Sequence, residues 1–217
     1  MGHVLSVNVG RIRAASWAGR PRQTAIAKHA ATGPVEVRRL GLDGDEIGDP
    51  RFHGGVHKAV YAYPREDLDF WGGQLGRPVP AGMFGENLTT VGVDVNEAVL
   101  GERWRIGSAL LAPADIRTPC GTFHTWMGRQ GFDTTGWTRR FVRAGRAGAY
   151  LRVLEEGVLQ AGDEIEVADR PDHGVTVSLM FRAFTSDRSL LPRLLDVDGL
   201  PEEVYAAARA RSAKPEV

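Results

Sequence analysis

The stretch AYLRVLEEGVLQAGDEIEVADR, residues 149–170, alternates apolar and polar side chains with a period close to two, interrupted by glycine and aspartate. This alternation is typical of β-strands that are buried on one face, and the interrupting residues favour tight turns between strands. The same pattern recurs through most of residues 3–168, in segments 3–14, 35–46, 59–63, 86–93 and 109–116. The spacing of these short strands predicts a mainly β fold, either a barrel or a sandwich.

Two helical interruptions are expected within the β part. In residues 64–76, Pro64 suits the first position of a short helix, acidic residues follow it, and Gly72 and Gly73 are expected to end it. Residues 122–145 place aromatic side chains near helical spacing between several glycines, which predicts a helix followed by a loop.

After about residue 170 the pattern changes from strand-like to helical. Glycine becomes rare, and apolar residues fall at helical spacing over residues 175–184, 187–196 and 201–212. The sequence therefore predicts a main β domain over residues 1–170 and a C-terminal unit of three helices over residues 171–217.

The charge balance and composition exclude several classes of partner. Lysine plus arginine and aspartate plus glutamate number 27 each among 217 residues, so no global field attracts nucleic acid. From residue 186 onward acidic residues slightly outnumber basic ones, so the helical unit is not expected to bind nucleic acid either. No apolar stretch reaches the length of a membrane span, and we expect no membrane partner. The first residues lack the features of an export signal, and a single cysteine cannot form an internal disulfide, which favours a cytoplasmic protein.

Cys120 is the one cysteine of the chain and lies in DIRTPCGTFH, residues 115–124. Pro119 favours an extended backbone at Thr118, and a glycine follows the cysteine, so we expect Cys120 where a strand gives way to a loop. Arg117 would favour the thiolate, which is the form that binds metals or attacks electrophiles. The alternative is a plain packing cysteine, since free cysteines are often buried fillers.

The segment RFHGGVHKAVYAY, residues 51–63, carries a second candidate site. His53 and a histidine four residues later would bind zinc from one face of a helix, but Gly54 and Gly55 between them disfavour a helix. The glycine pair instead indicates a place where the backbone approaches a ligand, with His53 and Lys58 as flanking donors. A tight turn with a surface histidine is an equally open alternative.

Two further segments offer polar and charged side chains. In GMFGENLTT, residues 82–90, Asn87 offers a donor and an acceptor and Thr89 a hydroxyl, although asparagine in such a turn commonly satisfies its own backbone. Arg143 belongs to RRFVRAGRAG, residues 139–148, whose arginines would bind phosphate. An exposed basic face without a ligand is the more common outcome for such a group.

Taken together and in this order, several segments resemble the MOSC domain, a family named for the C-terminal part of molybdenum cofactor sulfurase. Lys28 lies in the first of them, QTAIAKHA. The most specific signal is the succession of HGG at residues 53–55, GENL at residues 85–88 and RTPC at residues 117–120. The resemblance covers residues 3–168, and the three-helix tail is similar to the appendix of the bacterial YiiM-like branch.

The resemblance implies an antiparallel β-barrel with a few short helices that binds molybdenum cofactor, in which a pyranopterin dithiolene with a phosphate group holds the metal. It implies that Cys120 is the metal ligand and that His53 orients the cofactor or donates a proton to a departing oxygen. Lys28 and Arg117 would neutralise phosphate. The other residues that the resemblance brings to the cofactor site are Gly54, Gly55, Lys58, Asn87, Thr89, Thr118 and Arg143.

The activity that the resemblance implies is the two-electron reduction of N-hydroxylated compounds, such as hydroxylamino-purines, to amines. The small-molecule substrate would receive its electrons from an external electron-donor reductase. A non-catalytic carrier that delivers the cofactor or sulfur to another enzyme shares the same binding site and stays open as the alternative. Assembly as a homodimer is also left open.

Overall fold

The computed structural model describes residues 2–212 of the chain. The strands within that range, in chain order, are β1 (Gly2–Val9), β2 (Arg13–Ala14), β3 (Gln23–Thr24), β4 (His29–Ala30), β5 (Val35–Arg38), β6 (Gly41–Leu42), β7 (Val60–Pro64), β8 (Leu88–Val91), β9 (Arg103–Ile106), β10 (Ala109–Ile116), β11 (Ala149–Glu155), β12 (Gly157–Leu159) and β13 (Glu164–Asp169). The helices are α1 (Pro50–His53), α2 (Arg65–Leu75), α3 (Gly121–Arg129), α4 (Trp137–Ala144), α5 (Val177–Thr185) and α6 (Glu202–Ser212), with 3₁₀ segments at Val56–Lys58 and Arg188–Asp196.

The larger strands close into a barrel. Their order is β13, β9, β10, β11, β7, β8 and β1, and β1 pairs with β13 to complete the circuit. All neighbours in this circuit are antiparallel except β7 and β8, which pair in parallel with Ala62 opposite Leu88. A parallel pair needs a crossover connection, and helix α2 lies in the chain between these two strands. The predicted β-barrel is confirmed, and its pairing is mixed rather than wholly antiparallel.

Helix α2 extends further than the sequence predicted. Pro64 precedes it, but the helix runs through Gly72 and Gly73 and ends at Leu75, where Gly76 adopts a left-handed φ of 73°. The buried Trp71 anchors this helix in the core. Packing therefore outweighs the weak helix propensity of the two glycines. The predicted helix and loop over residues 122–145 fold as α3 and α4 with a loop between them.

The C-terminal segment is helical, as the sequence predicted. Its middle part is a 3₁₀ segment that contains Pro192, which has no amide hydrogen to continue an α-helical ladder. Helix α5 contacts the rest of the fold through Phe181, whose ring centroid lies 6.1 Å from that of Phe141 on α4. The division into domains at residue 170 stays a prediction. Within residues 2–212, no helix combines the length and apolar character that a bilayer crossing needs.

A cluster of buried aromatic rings lies behind helix α3 and fixes its position. Phe123 of α3 packs against Phe84 with ring centroids 4.9 Å apart and against Trp137 at 5.4 Å. Phe141 lies 5.6 Å from the same ring. Interlocked aromatic packing of this kind leaves a helix little freedom to shift. The first turn of α3, and with it Cys120, is therefore held firmly against the core.

Candidate functional site

A cavity of about 760 Å³ brings together most of the site residues that the sequence predicted. Its volume falls in the range of roughly 300–1,000 Å³ that is usual for small-molecule sites. The predicted residues that line it are Lys28, His53, Lys58, Asn87, Arg117, Thr118 and Cys120. Residues that are far apart in the sequence thus converge on one space.

Four predicted residues do not line this cavity. Gly54 ends α1, and a Cβ there would meet the Pro50 carbonyl oxygen at 3.0 Å, while Gly55 has a φ of 97°. The glycine pair therefore forms a turn, but the histidine before it lines the cavity, unlike the surface histidine of the alternative. Thr89 is fully buried behind the cavity wall, and Arg143 is exposed on α4. These positions give no contact with a ligand in the cavity.

Cys120 lies where β10 gives way to α3, as the flanking proline and glycine predicted. It is the N-cap of α3, and its Sγ atom accepts a hydrogen bond from the Phe123 amide at 3.5 Å. The side chain is partly buried and faces the cavity. The expected placement of Cys120 after a strand is confirmed. Because Cys120 lines the cavity, it is not a cysteine enclosed wholly by packing.

The surroundings of Cys120 favour its thiolate. Burial alone would raise the pKa of the thiol, because it disfavours the charged form. The interaction with the His53 side chain and the positive charge of Arg117 outweigh burial and bring the pKa down to about 7. Near neutral pH, a substantial fraction of Cys120 is therefore in the form that binds soft metals.

Arg117 is a buried cation that forms no ion pair with a carboxylate in residues 2–212. Only 6% of the residue is exposed, and its Nε atom has no hydrogen-bond partner among the described residues. The guanidinium carbon lies 5.1 Å from the ring centroid of Tyr61 and 4.4 Å from that of Phe123. The two rings stabilise the cation and fix its position, but they do not neutralise its charge. Such a residue is prepared for an anion.

Lys28 and Asp45 form a buried ion pair on the cavity wall. The Lys28 Nζ atom lies 2.5 Å from Asp45 Oδ1, and both side chains are less than a tenth exposed. Burial lowers the pKa of Lys28, and the neighbouring Asp45 acts in the opposite direction. The remaining amine hydrogens of Lys28 are available to a ligand, while its charge is balanced by Asp45.

Asn87 uses its amide group within the fold. Its Nδ2 atom donates to the Asn8 carbonyl at 3.2 Å and to Asp45 Oδ2 at 2.8 Å. Its Oδ1 atom accepts from the Tyr61 amide at 3.0 Å. Both donor hydrogens are thus taken, and Asn87 holds Asp45 in place instead of presenting donors to the cavity.

Lys58 connects the cavity to the end of β10. Its Nζ atom lies 3.4 Å from Asp115 Oδ2 and donates to the Phe52 carbonyl oxygen at 3.2 Å. Because Phe52 precedes His53 in α1, this bond helps to fix the turn that carries the histidine. Burial raises the pKa of Asp115, and the charge of Lys58 opposes that effect.

The sequence did not single out three lining residues, Asp45, Tyr61 and Tyr150. Asp45 lies in a segment whose pattern predicts only a strand and a turn, and its partner Lys28 is 17 positions away in the sequence. The tyrosines were assigned to alternating strands with no sign of which face they occupy. The nearest signal was the charge of Asp45 directly after a glycine turn.

Comparison with known proteins identifies the family to which the chain is similar. Residues 49–166 match the model of the MOSC domain family. The chain is 32% identical over 207 residues to the uncharacterized protein YflK of Bacillus subtilis, an alignment that covers 94% of this chain and 91% of YflK. It is 30% identical over 173 residues to the protein YiiM of Escherichia coli, covering 78% of this chain and 74% of YiiM.

A third relative and one crystal structure complete the comparison. A protein of Gibberella moniliformis named reductase is 31% identical over 175 residues, which are 78% of this chain and 30% of that protein. The crystal structure of YiiM from Geobacillus stearothermophilus superposes with a TM-score of 0.80 at 24% identity, covering 98% of this chain and all of that one. The barrel, the cavity around Cys120 and these matches lead to one conclusion: the chain belongs to the MOSC domain family, within its YiiM-like branch.

Proposed function

We propose that this protein binds molybdenum cofactor in the cavity, with Cys120 as a ligand of the metal, and reduces N-hydroxylated compounds to amines. The MOSC family is associated with molybdenum cofactor. The observation that carries the proposal is the partly buried thiol of Cys120, with its lowered pKa, on the wall of a cavity large enough for a cofactor.

The residues present fit such a group in chemistry and in charge. A thiolate is a soft ligand, which suits a metal that is already bound by dithiolene sulfur. Within residues 2–212 no group of three or more His, Cys, Asp or Glu side chains could hold a metal alone, so the other ligands would come with the cofactor. The Lys28 and Lys58 charges are paired with carboxylates, whereas Arg117 forms no ion pair with a carboxylate of the described residues, so its charge is open to an anionic ligand.

In this proposal the lining residues have separate tasks. Cys120 binds the metal. Lys28 donates to the phosphate with the hydrogens that Asp45 does not use, and Thr118 offers a hydroxyl at the cavity wall. Asn87 acts indirectly, because it positions Asp45.

The net reaction converts R–NHOH, two electrons and two protons into R–NH2 and water. The bound cofactor would supply the two-electron chemistry, with electrons from an external reductase. His53 lies beside Cys120, and its imidazole is a group that can donate a proton to the departing oxygen. The relative named reductase supports an activity of this class.

Turnover separates the proposed enzyme from the alternative cofactor carrier. Protein from a host that makes molybdenum cofactor is mixed with a hydroxylamino-purine and a chemical reductant, and amine formation is followed by chromatography. We expect turnover that is lost in Cys120→Ala and reduced by about 10²-fold or more in His53→Ala, the usual scale of general-acid catalysis. Cofactor binding with no turnover would favour the carrier.

A further inference from the structure

A shallow groove of about 640 Å³ adjoins the cavity. Arginines from two separate segments line it, Arg20 and Arg22 from the turn between β2 and β3 and Arg51 from α1. We propose that this groove binds the phosphate group of a phosphorylated substrate, such as a hydroxylamino-purine nucleotide, whose base enters the cavity. This inference deepens the proposed function and rests on it for the identity of the base, whereas the anion site itself is a property of the cofactor-free chain.

The groove is positively charged although the charges of the whole chain balance. Five lysine and arginine residues precede the first acidic residue of the sequence, Glu36. Arg20 and Arg22 are two of the five, and both are exposed and form no ion pair with a carboxylate in residues 2–212. The carboxylate of Asp49 in the groove accepts from Arg51 Nε and Nη2 at 3.0 Å each, so it neutralises Arg51. The positive charges of Arg20 and Arg22 are therefore open to an anion.

The backbone that carries these arginines is fixed in an unfavourable conformation. Gln23 Nε2 donates to the Gly48 carbonyl oxygen at 3.0 Å, and a Cβ at Gly48 would meet Thr24 Cα at 2.7 Å, so the loop before α1 lies directly against β3. Arg22 has a φ of 64° and is the one residue other than glycine in residues 2–212 with a positive φ. Its amide donates to the Gly19 carbonyl oxygen at 2.8 Å. Residues held in such a conformation commonly belong to functional sites, which is an observation independent of the charge.

The groove and the cavity are continuous. Arg20 and Asp49 line both of them, whereas Cys120 lines the cavity and Arg22 lines the groove. A substrate with its base in the cavity can therefore place its phosphate between Arg20 and Arg22, whose guanidinium groups bind phosphate oxygens in pairs. A concave groove suits a small anion better than the broad surface of a protein partner. Binding of this non-reacting group helps to hold the reacting end of the substrate in place.

The first test uses inorganic phosphate as the probe and the full-length chain purified without cofactor. Titration calorimetry at constant ionic strength, with chloride as the balancing salt, should show a saturable phosphate site. The double variant Arg20→Gln/Arg22→Gln should weaken phosphate binding at this site by about tenfold or more. Arg20→Lys/Arg22→Lys should weaken it less, because lysine keeps the charge and loses the forked geometry. Arg188→Gln, which removes an exposed arginine of the C-terminal segment, should bind phosphate as wild type does.

Protein loaded with molybdenum cofactor separates the two sources of a phosphate group, the substrate and the cofactor. The groove should still bind inorganic phosphate when each chain holds one molybdenum, because Lys28 takes the phosphate of the cofactor in the proposed function. Loss of phosphate binding on loading would assign the groove to the cofactor and overturn the inference. Failure to load would refute the proposed function, and phosphate binding by the cofactor-free chain would then decide the anion site alone.

Turnover by the loaded protein tests the class of substrate. The kcat/KM for a hydroxylamino-purine nucleotide should exceed that for the matching nucleoside by about tenfold or more, and this ratio should fall to near one in Arg20→Gln/Arg22→Gln. Circular dichroism confirms that the variants are folded, as expected for two exposed side chains.

The inference is overturned if wild type has no saturable phosphate site, if Arg20→Gln/Arg22→Gln binds phosphate as wild type does, or if wild type turns over nucleotide and nucleoside equally well. An absence of turnover with both substrates would count against the proposed function, and the phosphate titration would still decide whether the groove is an anion site.

Discussion

Replacing Arg117 by methionine should make the cofactor-free protein more stable, although it removes a residue of the proposed site. Methionine is similar in length and apolar, and it would occupy the same space between the rings of Tyr61 and Phe123. The wild-type cation is desolvated and has no carboxylate partner in the described residues. Desolvation disfavours this cation, and the groups that act most strongly against desolvation, Tyr150 and Tyr61, carry no charge near neutral pH, so burial opposes folding there and the site is maintained against stability.

The magnitude follows from two opposing contributions. Burying one charge costs several kcal/mol after relaxation, taken here as about 4 kcal/mol. The two cation–π contacts are taken as about 1 kcal/mol each, within the range of about 0.5–2 kcal/mol for such contacts, and so return about 2 kcal/mol in all. The expected gain in the free energy of unfolding is therefore about 2 kcal/mol, which corresponds to about 4–8 °C in Tm for a chain of this size.

Thermal and urea unfolding in chloride buffer measure this gain, and Lys28→Met is the matched control. Lys28 is also a buried cation, but its removal leaves Asp45, with a side chain 7% exposed, without its ion-pair partner. Lys28→Met should therefore lower the free energy of unfolding by about 3 kcal/mol. Changes of opposite sign in the free energy of unfolding of the two variants would show that one of these buried charges is paired and the other is not. A clear loss of stability in Arg117→Met would refute this reasoning, since it would mean that the fold already neutralises Arg117.

The remaining predictions concern Cys120 and Glu86. Alkylation of Cys120 by iodoacetamide should be half-maximal at pH about 7, and His53→Ala should move the midpoint upward; an unmoved midpoint would exclude His53 as a cause. Because the folded pKa of this thiol is below its ordinary value of 9.0, its contribution to stability is complete above pH 9 and is lost as the pH falls through about 7. The difference in unfolding free energy between wild type and Cys120→Ala should therefore shrink over that interval, and a constant difference would contradict the assignment. Glu86→Gln should lower the free energy of unfolding by about 1–3 kcal/mol, measured with urea, because an amide NH2 would replace an oxygen that accepts from backbone donors. An unchanged stability would mean that Glu86 is already protonated in the fold.

The local features of the site were predictable from the sequence, because they depend on neighbouring residues. Pro119 and Gly121 place Cys120 at the end of a strand, and period-two alternation gives the barrel strands. The C-terminal helices follow from 3.6-residue spacing. Each of these signals lies within a short stretch of sequence, and contacts with distant residues do not override it.

The features that the sequence did not reveal depend on contacts between distant residues. Lys28 and Asp45 form an ion pair between separate loops, and both Asn87 donors also bind residues of other segments. No short stretch of sequence contains both partners of any of these contacts. Helix α2 continues past its glycines because Trp71 is anchored in the core. The lack of an ion pair at Arg117 within the described residues could not be predicted either, since it depends on where carboxylates from distant parts of the sequence lie. The parallel pairing of β7 and β8 likewise arises from the crossover rather than from either strand.

The role of Cys120 as a metal ligand is tested most directly by elemental analysis. Wild type and Cys120→Ala are purified from a host that makes molybdenum cofactor, with circular dichroism to confirm that the variant is folded. The account predicts close to one molybdenum per chain in wild type and none above background in Cys120→Ala. Equal molybdenum in the two proteins, or none in wild type, would contradict it.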